Sequence, residues 1–528
     1  MGVLAALPIA MDDRTRKEIS SLSTKFFYGF GSIAFGVKDQ GFSYFLLFFY
    51  NQVLGAPSEM IGGAIAIALF FDAFADPIVG QISDNLRSRW GRRHPFMYAS
   101  AVPVAAAYFL LWNPPHLSPR TLFFYLVGII IVVRTFISMY EIPSSALVAE
   151  LTPDYDQRTS FLGYRYLFGW LGGLAMTLLA FGVFFTATKR YPVGQLNPEG
   201  YVKYSIAACA LMVFAILVTS VGTHKFVPYF TVPPKRAVSL LRIFREMTQT
   251  LKNRSFIVLS VSALFSAIAA GTLTALNNYF NTFFWGLSAQ QILLLNILVI
   301  AAPVIALFIT PAFSSRVGKK PAAMTLWIIS TIFYWFPMAA RLAGAFPRNG
   351  DPWLVPLLAI LQTTGTMFSI ACSITLSSML ADVVEDSQRV TGRRSEGLFF
   401  SANSFVLKAV SGMGILVATQ LLTFVHFPAH ADPATLDPQI PRNLALAYFP
   451  VTFAFYALAL GCLSFYRIDR AAHEENLRRL TEEAVLAPIP VGLEGVRTSQ
   501  HGDPAETLAA DSGPASTLSA DGSQMVET

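Results

Sequence analysis

The sequence predicts an all-α membrane protein whose twelve transmembrane helices form two related halves of six. Three observations lead to this prediction: the composition, the number and length of apolar stretches, and two short motifs that recur in the second half. The chain has 528 residues, of which 54% are hydrophobic and 13% are charged, and its mean hydropathy is +0.51. An ordinary soluble domain is about 25% charged. The composition therefore excludes a soluble enzyme, whose surface needs more charge than this chain carries.

Twelve apolar stretches are long enough to cross a bilayer, which takes about 20 residues per helix. These stretches are continuously apolar, whereas the strands of a transmembrane barrel alternate between apolar and polar residues. The predicted spans are therefore helices. In chain order they are 26–52, 60–82, 95–113, 121–146, 159–186, 202–223, 255–281, 289–313, 321–345, 354–381, 395–425 and 443–466.

The spans divide the chain into five parts. A basic linker interrupts the series after the sixth span. The C-terminal tail is rich in Ala, Gly, Pro, Ser and Asp, a composition that favours disorder. The predicted parts are an N-terminal tail at 1–25, a first six-helix bundle at 26–223, the linker at 224–254, a second six-helix bundle at 255–467 and a largely disordered tail at 468–528.

Basic residues predict the orientation, because cytoplasmic loops of membrane proteins carry an excess of Lys and Arg. Of the 38 Lys and Arg residues, 27 lie in the tails, the linker and the loops on the same side, and 7 lie in the opposite loops. We therefore predict a multi-pass protein of the cell membrane (the inner membrane in a bacterium) with both termini in the cytoplasm. Its expected partner is the lipid bilayer, and the sequence has no wettable basic domain that would bind nucleic acid.

Two short motifs occur once in each half. Arg-Trp-Gly-Arg-Arg-His-Pro ends at Pro95 after span 2, and Arg-Val-Gly-Lys-Lys-Pro ends at Pro321 after span 8. Ala-Glu-Leu-Thr-Pro-Asp begins at Ala149 after span 4, and Ala-Asp-Val-Val-Glu-Asp begins at Ala381 after span 10. The shift along the chain from the first copy to the second is nearly the same for both motifs. Two motifs related by nearly one shift indicate an internal repeat of six plus six spans, which is the architecture of the major facilitator fold.

The repeated loops also predict how the cytoplasmic side closes. The basic segments 89–93 and 316–320 are expected to form ion pairs with the acidic segments 150–156 and 382–386. The residues to which this gating role is assigned are Arg89, Arg92, Arg93, Glu150, Asp154, Arg316 and Asp382.

Eight Asp, Glu, Lys and Arg residues lie at least five residues from either end of a predicted span. Each costs about 2.5–3.5 kcal/mol at the middle of a span, so they are expected to line a cavity, to pair, or to bind an ion. The four bases are Lys38, Arg134, Arg165 and Lys408, and the four acids are Asp39, Asp72, Asp76 and Glu141. All four acids belong to the first half, which is therefore where a coupling ion should bind. Lys408 is expected to reach across to these carboxylates, although a lysine near a span end can also extend its amine to the membrane surface.

The most informative of these residues are Asp72 and Asp76 on span 2. Their spacing of four residues places both carboxylates on one helix face. Two carboxylates so close repel each other unless a cation or a proton lies between them. The pair therefore predicts a site for Na⁺, Li⁺, H₃O⁺ or a single shared proton. The alternative is that one of the two aspartates caps a neighbouring broken helix.

Span 4 carries Arg134 and Glu141, which are separated by about 10 Å of helical rise and should contact different neighbours. Arg134 is expected to be a structural partner of another side chain. Glu141 precedes Pro143, which kinks the span. A carboxylate at such a kink is a candidate ligand for hydroxyl groups or for a cation.

Taken together, several motifs resemble the glycoside–pentoside–hexuronide:cation symporter family of the major facilitator superfamily, to which the melibiose permease belongs. They are Phe-Gly-Val-Lys-Asp ending at Asp39, the segments 71–80 and 87–95, Glu141-Ile-Pro and the segment 149–154. The resemblance covers about residues 25 to 467. It implies a secondary active transporter, not an enzyme, that carries a sugar or glycoside together with H⁺ or Na⁺ by alternating access. Apart from the coupling ion, no cofactor is implied, and carriers of this size commonly work as monomers.

The resemblance also implies roles for individual residues. It places the cation at Asp72 and Asp76, with the hydroxyl of Ser138 nearby, and it makes Glu141 a residue shared between the cation and the sugar. The residues implied to bind the substrate are Lys38, Asp39, Glu141, Arg165, Asn403, Ser404 and Lys408.

Two positions depart from the family pattern. Ala75 stands where sodium users of the family often have Asn, which favours H⁺ as the coupling ion. Ser145 stands where the melibiose permease has a Trp against the galactosyl ring, so a galactoside is not implied. Related proteins carry glucuronides, pentosides, sucrose and, in an animal branch, lysophospholipids. The alternative function is therefore cation-coupled transport of a lysophospholipid or another amphiphile through a greasy cavity with a lateral gap. A non-transporting sensor is a third class, which the retained intramembrane charges argue against.

Overall fold

The computed structural model describes residues 13–152, 154–230, 254–391 and 412–466. Within these residues the chain is helical and contains no β-strand. The α-helices are α1 (Asp13–Ile19), α2 (Leu22–Phe30), α3 (Ser32–Gln40), α4 (Leu46–Phe48), α5 (Ser58–Asn85), α6 (His94–Trp112), α7 (Pro119–Ala146), α8 (Val148–Leu151), α9 (Tyr155–Leu179), α10 (Pro198–His224), α11 (Arg254–Tyr279), α12 (Ala289–Val299), α13 (Ala301–Val317), α14 (Lys319–Leu342), α15 (Leu354–Thr391), α16 (Met413–Phe424) and α17 (Gln439–Ser464). Short 3₁₀ turns lie at Gly194–Leu196 and Val227–Tyr229.

Ten helical segments among the described residues are long and apolar enough to cross a membrane. They correspond to ten of the twelve predicted spans. The first predicted span is also helical, but it is divided into the short helices α2, α3 and α4. Of the eleventh span, the structure describes only the end, which is α16. The predicted all-α, multi-pass architecture is confirmed.

Four turns of π-helix interrupt the helices of the described ranges. They lie at Gly41–Phe45, Phe49–Val53, Ala180–Phe184 and Phe280–Phe284. Each accommodates one extra residue per turn, and such turns occur frequently at functional sites. These turns are not predictable from the sequence, because an extra residue in one turn leaves no periodic signal in an apolar helix.

The π turns also extend the internal repeat into the spans. The amide of Leu54 donates to the carbonyl of Phe49 over 3.0 Å, and the amide of Trp285 donates to that of Phe280 over 2.8 Å. Both turns are followed by a glycine with positive φ, Gly55 at 77° and Gly286 at 63°. All three pairs of positions are related by one shift along the chain, which is intermediate between the shifts of the two loop motifs. Span 1 and span 7 therefore end in the same local structure.

The two halves contact each other where span 1 ends and span 2 begins, at 53–58, and we call this the outer end. Nine residues before this end on span 1, the side-chain amide of Asn278 donates to the carbonyl of Tyr44 over 2.7 Å. The side chain of Gln52 donates to the carbonyl of Pro428 over 3.1 Å. Ser58 and Thr423 approach to 3.1 Å through their hydroxyls. Among the described residues, the hydrogen bonds between the halves lie in this region, so the structure is closed at the outer end.

Span 1 packs closely against α9 through glycines. A Cβ atom on Gly36 would lie 1.8 Å from the carbonyl oxygen of Gly169, so only glycine permits this approach. Close packing through small residues is common between membrane helices. The contact positions α3, which carries Lys38 and Asp39, beside α9, which carries Arg165.

Candidate functional site

The candidate cation site is built by two neighbouring helices, α5 and α7. Arg134 Nη2 lies 2.5 Å from Asp72 Oδ2, and the hydroxyl of Ser138 donates to Asp76 Oδ1 over 2.5 Å. Both contacts join residues that have the same separation along the chain, because the two helices cross the bilayer in the same direction and in register. We call these four residues the carboxylate ladder. Its two contacts lie one helical turn apart.

The ladder is largely shielded from solvent. The side chains of Asp72 and Arg134 are 13% and 14% exposed, and Ser138 is buried. Arg134 Nε is buried and makes no hydrogen bond to any residue that the structure describes, so the guanidinium is held largely through Asp72. Arg134 contacts Asp72 on α5, whereas the backbone carbonyl of Glu141 accepts a hydrogen bond from Arg165 on α9.

The structure bears on the two interpretations of the aspartate pair. Both residues lie inside the continuous helix Ser58–Asn85, and each carboxylate contacts a side chain of α7. Capping of a neighbouring helix by one of them stays a prediction. The spacing on span 2 predicts repulsion between the two carboxylates but does not assign Arg134 to Asp72. The available signal was the spacing of four between Arg134 and Ser138, which matches the spacing of four between Asp72 and Asp76.

Lys38 and Asp39 form an ion pair on span 1. The Lys38 side chain is 9% exposed, whereas that of Asp39 is 60% exposed. Both residues lie near the middle of a span that runs from about 22 to 53. A carboxylate facing lipid at this depth would be costly, so the exposure of Asp39 indicates a water-filled cavity inside the protein.

Arg165 on α9 is buried and connects three helices. Its guanidinium donates to Ser144 Oγ over 2.9 Å and to the carbonyl oxygen of Glu141 over 3.2 Å. It also lies 5.1 Å from the centre of the Phe35 ring on span 1. In this conformation Arg165 therefore holds α7 at the kink around Pro143, and its role in binding the substrate stays a prediction.

Three of the predicted substrate residues, Asn403, Ser404 and Lys408, lie outside the described residues. Glu141 is described and is half-buried, on the same helix as the ladder and three residues after Ser138. The structure thus brings Lys38, Asp39, Glu141 and Arg165 to neighbouring helices of the first half.

The repeated loop motifs meet in space within each half. In the first half, Arg92 Nε and Arg93 Nε lie 2.6 and 3.0 Å from Glu150 Oε1. In the second half, Lys319 Nζ lies 2.6 Å from Asp382 Oδ1. Alignment of the two copies of the first motif pairs Arg92 with Lys319, and alignment of the second motif pairs Glu150 with Asp382. The two ion pairs are therefore repeat equivalents, although their role in gating stays a prediction.

The remaining residues assigned to gating lie elsewhere. Arg89 and Arg316 are exposed, and the Arg89 guanidinium lies 5.9 Å from the ring of Trp90. Asp154 caps α9 by accepting a hydrogen bond from the amide of Gln157 over 2.8 Å. The ion pairs formed among the described residues do not include these three, and the pairs on the loop motifs each lie within one half instead of crossing between halves.

The carboxylate ladder has no counterpart in the second half. The shift that relates the π turns of spans 1 and 7 takes Asp72 to Pro303 and Asp76 to Leu307, which are apolar. The same shift takes Ser138 to Ser369. The symmetric scaffold therefore carries an asymmetric distribution of charge, with the acids in the first half.

Comparison with known proteins adds the family. The family described as "MFS/sugar transport protein" matches residues 27–470 of this chain, which is most of its length. This agrees with the range over which the sequence motifs resemble a symporter family.

Three relatives illustrate the breadth of the similarity. The isoprimeverose transporter of Lactiplantibacillus pentosus is 22% identical, over 86% of this chain and 90% of the relative. The glucuronide carrier protein homolog of Escherichia coli is 22% identical, over 85% and 93% of the two chains. The sodium-dependent lysophosphatidylcholine symporter 1 of Gallus gallus is 24% identical, over 89% and 91%.

Solved structures show the same fold at lower identity. The nucleoside transporter NupG superposes with a TM-score of 0.53 and 15% identity, over 83% of this chain and 98% of that protein. The xylose transporter XylE from E. coli, in its inward open conformation, superposes with a TM-score of 0.51 and 13% identity, over 82% and 95%. The predicted major facilitator fold is confirmed.

Proposed function

Because this chain belongs to the MFS/sugar transport protein family, whose members are transporters and not enzymes, we propose that it is a cation-coupled symporter. It carries a sugar or glycoside across the cell membrane by alternating access. The observation that supports coupling most directly is the carboxylate ladder, since Asp72 and Asp76 are kept at membrane depth beside Arg134 and Ser138.

Coupling follows from charge. The two aspartates and Arg134 together carry a formal charge of −1, which is unfavourable in a largely buried site. A bound cation neutralises this charge and stabilises the conformation in which the substrate also binds. If the loaded and the empty carriers change conformation more readily than the half-loaded ones, the two ligands move together, because each ligand raises the affinity for the other.

The proposed substrate is a molecule rich in hydroxyl groups. Lys38, Asp39, Glu141 and Arg165 can form charge-assisted hydrogen bonds with hydroxyls, and the side chain of Asp39 is 60% exposed. The proposal also includes Asn403, Ser404 and Lys408, which lie outside the described residues. Relatives named for isoprimeverose and glucuronide support a sugar or glycoside over other small molecules.

We place both termini in the cytoplasm, because basic residues favour that side by 27 to 7. The outer end, which is closed in this structure, then faces away from the cytoplasm. The protein would release its substrate on the cytoplasmic side, as symport for uptake requires.

The test is uptake into membrane vesicles that contain the full chain. Labelled pentosides, hexuronides and glycosides are offered in turn, with an imposed Na⁺ gradient, an imposed pH gradient, or neither. We expect one sugar class to accumulate under one gradient, and we expect Asp76→Asn to abolish accumulation while exchange of the sugar continues. Uptake that is indifferent to both gradients would contradict coupling.

One observation favours a second candidate, transport of a lysophospholipid. An apolar groove of about 560 Å³ lies between α16 and α17. The groove is lined by Leu416, Val417, Gln420, Leu421, Phe424, Ala447, Pro450, Val451 and Phe455. It offers space for an acyl chain, and the relative from Gallus gallus is named for lysophosphatidylcholine. Uptake of a labelled lysophospholipid in the same vesicles, with no uptake of any sugar, would select this candidate.

A further inference from the structure

We propose that Arg134 is a tethered cation that determines ion specificity: it holds Asp72 in place of a metal ion, so the ladder couples transport to H⁺ and excludes Na⁺ and Li⁺. This inference rests on the proposed function and deepens it, because it names the coupling ion and the residue that selects it.

Arg134 and Asp72 are in direct contact. The guanidinium of Arg134 lies 2.5 Å from Asp72, and both side chains are almost nine-tenths shielded from solvent. Within the described residues, the Nε of the same guanidinium finds no hydrogen-bond partner. Asp72 is therefore the principal anchor of a fixed positive charge, and that charge lies where a coupling cation would bind this carboxylate.

A metal ion could bind to Asp72 only if Arg134 moved away. Hard cations such as Na⁺ bind through several oxygen ligands at once, and the spacing of Asp72 and Asp76 suggested that both carboxylates contribute. Arg134 already occupies Asp72. For Na⁺ to take its place, the guanidinium would have to withdraw, and a buried charge without its partner is strongly unfavourable. The metal ion would also experience the repulsion of the guanidinium one helical turn away.

A proton could bind at the carboxylate ladder without moving Arg134. A proton binds to one oxygen of one carboxylate and needs no cage of ligands. Asp76 can take it while the hydroxyl of Ser138 reorients, because a hydroxyl both donates and accepts hydrogen bonds. Asp72 and Arg134 remain paired throughout. Protonation then takes the formal charge of the two aspartates and Arg134 from −1 to zero.

Among the described residues, the ionisable groups on the helices packed against α5 can be named. On α7 those at this depth are Arg134, Tyr140 and Glu141. On α16, which also packs against α5, Met413–Phe424 contains no acid, base or tyrosine. Glu141 lies three residues beyond Ser138 and is the second group through which a proton can reach or leave the site.

The experiment measures ion binding directly, without a sugar. Full-length protein in detergent is assayed for ²²Na⁺ binding and for its melting temperature, in NaCl and in choline chloride at equal ionic strength. We expect no Na⁺-specific response from the wild type. Arg134→Gln should open the two-carboxylate site, raising ²²Na⁺ binding at least tenfold and the melting temperature by a few degrees in NaCl.

Two variants serve as matched controls. Arg134→Lys keeps the positive charge and should not bind Na⁺. The double variant Arg134→Gln with Asp72→Asn removes both members of the pair and should lose the Na⁺ response of the single variant. Together they separate a specific two-carboxylate site from a general effect of losing an arginine.

Two results would overturn the inference. One is a Na⁺ response of the wild type as large as that of Arg134→Gln. The other is a folded Arg134→Gln protein that shows neither ²²Na⁺ binding nor a higher melting temperature in NaCl. If Arg134→Gln fails to fold, the wild type is compared with Asp72→Asn instead. Na⁺ binding by the wild type that Asp72→Asn abolishes would overturn the inference, because the metal ion would then reach Asp72 despite Arg134. No Na⁺ binding by the wild type would support the inference. None of these measurements involves a sugar, so their results could still be interpreted if the protein proved not to carry a sugar.

Discussion

The hydroxyl of Tyr279 donates to Asn51 Oδ1 over 2.8 Å and joins the first span of each half at the outer end. Asn51 lies inside the π turn Phe49–Val53, and Tyr279 immediately precedes the π turn Phe280–Phe284. The extra residue of each turn thus lies beside the contact that closes the outer end. Asn51 also accepts a hydrogen bond at its carbonyl from the amide of His430, over 3.1 Å. These contacts must break when the outer end opens.

Tyr279→Phe should therefore shift the protein towards an outward-open conformation. Removing one buried hydrogen bond costs about 1 kcal/mol, which corresponds to a roughly fivefold change in the equilibrium between closed and open states. Spin labels at His116→Cys and Ala434→Cys, which lie in exposed loops of different halves, should report a larger population of long distances. Tyr125→Phe is the control, because Tyr125 donates to Leu110 within the first half. Equal distance distributions in all three proteins would show that this contact does not stabilise the closed outer end.

The pair of Asp72 and Arg134 should matter for folding as well as for coupling. Asp72→Asn leaves a largely buried guanidinium without its counter-ion, which should cost roughly 3 kcal/mol. We expect a clear fall in the melting temperature in detergent, partly restored by adding Arg134→Gln. Asp84→Asn is the matched control, because Asp84 pairs with Arg93 but its side chain is 54% exposed. That variant should lose less than about 1 kcal/mol.

The two repeat-related ion pairs should differ in strength. The Glu150 side chain is 5% exposed and contacts both Arg92 and Arg93. Asp382 is equally shielded, but Lys319, one residue with which it pairs, is 36% exposed, so solvent weakens that attraction. Glu150→Gln should cost roughly 3 kcal/mol and Asp382→Asn about 1 kcal/mol.

Thermal unfolding of the two variants in the same detergent measures this difference. Their transport rates, measured under one gradient, then show whether the pairs contribute to gating. If Asp382→Asn proved more destabilising than Glu150→Gln, the partial exposure of Lys319 would not explain the difference in strength between the two ion pairs.

Arg165 should not be replaceable by lysine. The planar guanidinium of Arg165 donates to both Ser144 Oγ and the carbonyl of Glu141. The ammonium group of a lysine is a compact charge and lacks the fixed planar arrangement of donors that makes these two hydrogen bonds. We expect Arg165→Lys to fold but to transport at least tenfold more slowly. Ser144→Ala removes one of the two contacts and should have an intermediate effect. Full activity of Arg165→Lys would show that charge alone is required at this position.

Most of the fold could be predicted from the sequence. A backbone in lipid must satisfy its own hydrogen bonds, so a continuous apolar stretch of about 20 residues has few alternatives to a helix. Gly91 and Gly318, which marked the loop repeat, both have positive φ in the structure. The π turns in span 1 and span 7 could not be predicted, because they depend on how those helices end against each other.

The sequence by itself determined which residues carry charge at membrane depth, that the acids belong to the first half, and that Asp72 and Asp76 share one face. These properties follow from helical periodicity alone. Only the tertiary structure decided that Arg134 pairs with Asp72 and that Arg165 engages Ser144. Such pairings depend on the register and direction of separate helices, and packing between helices sets both.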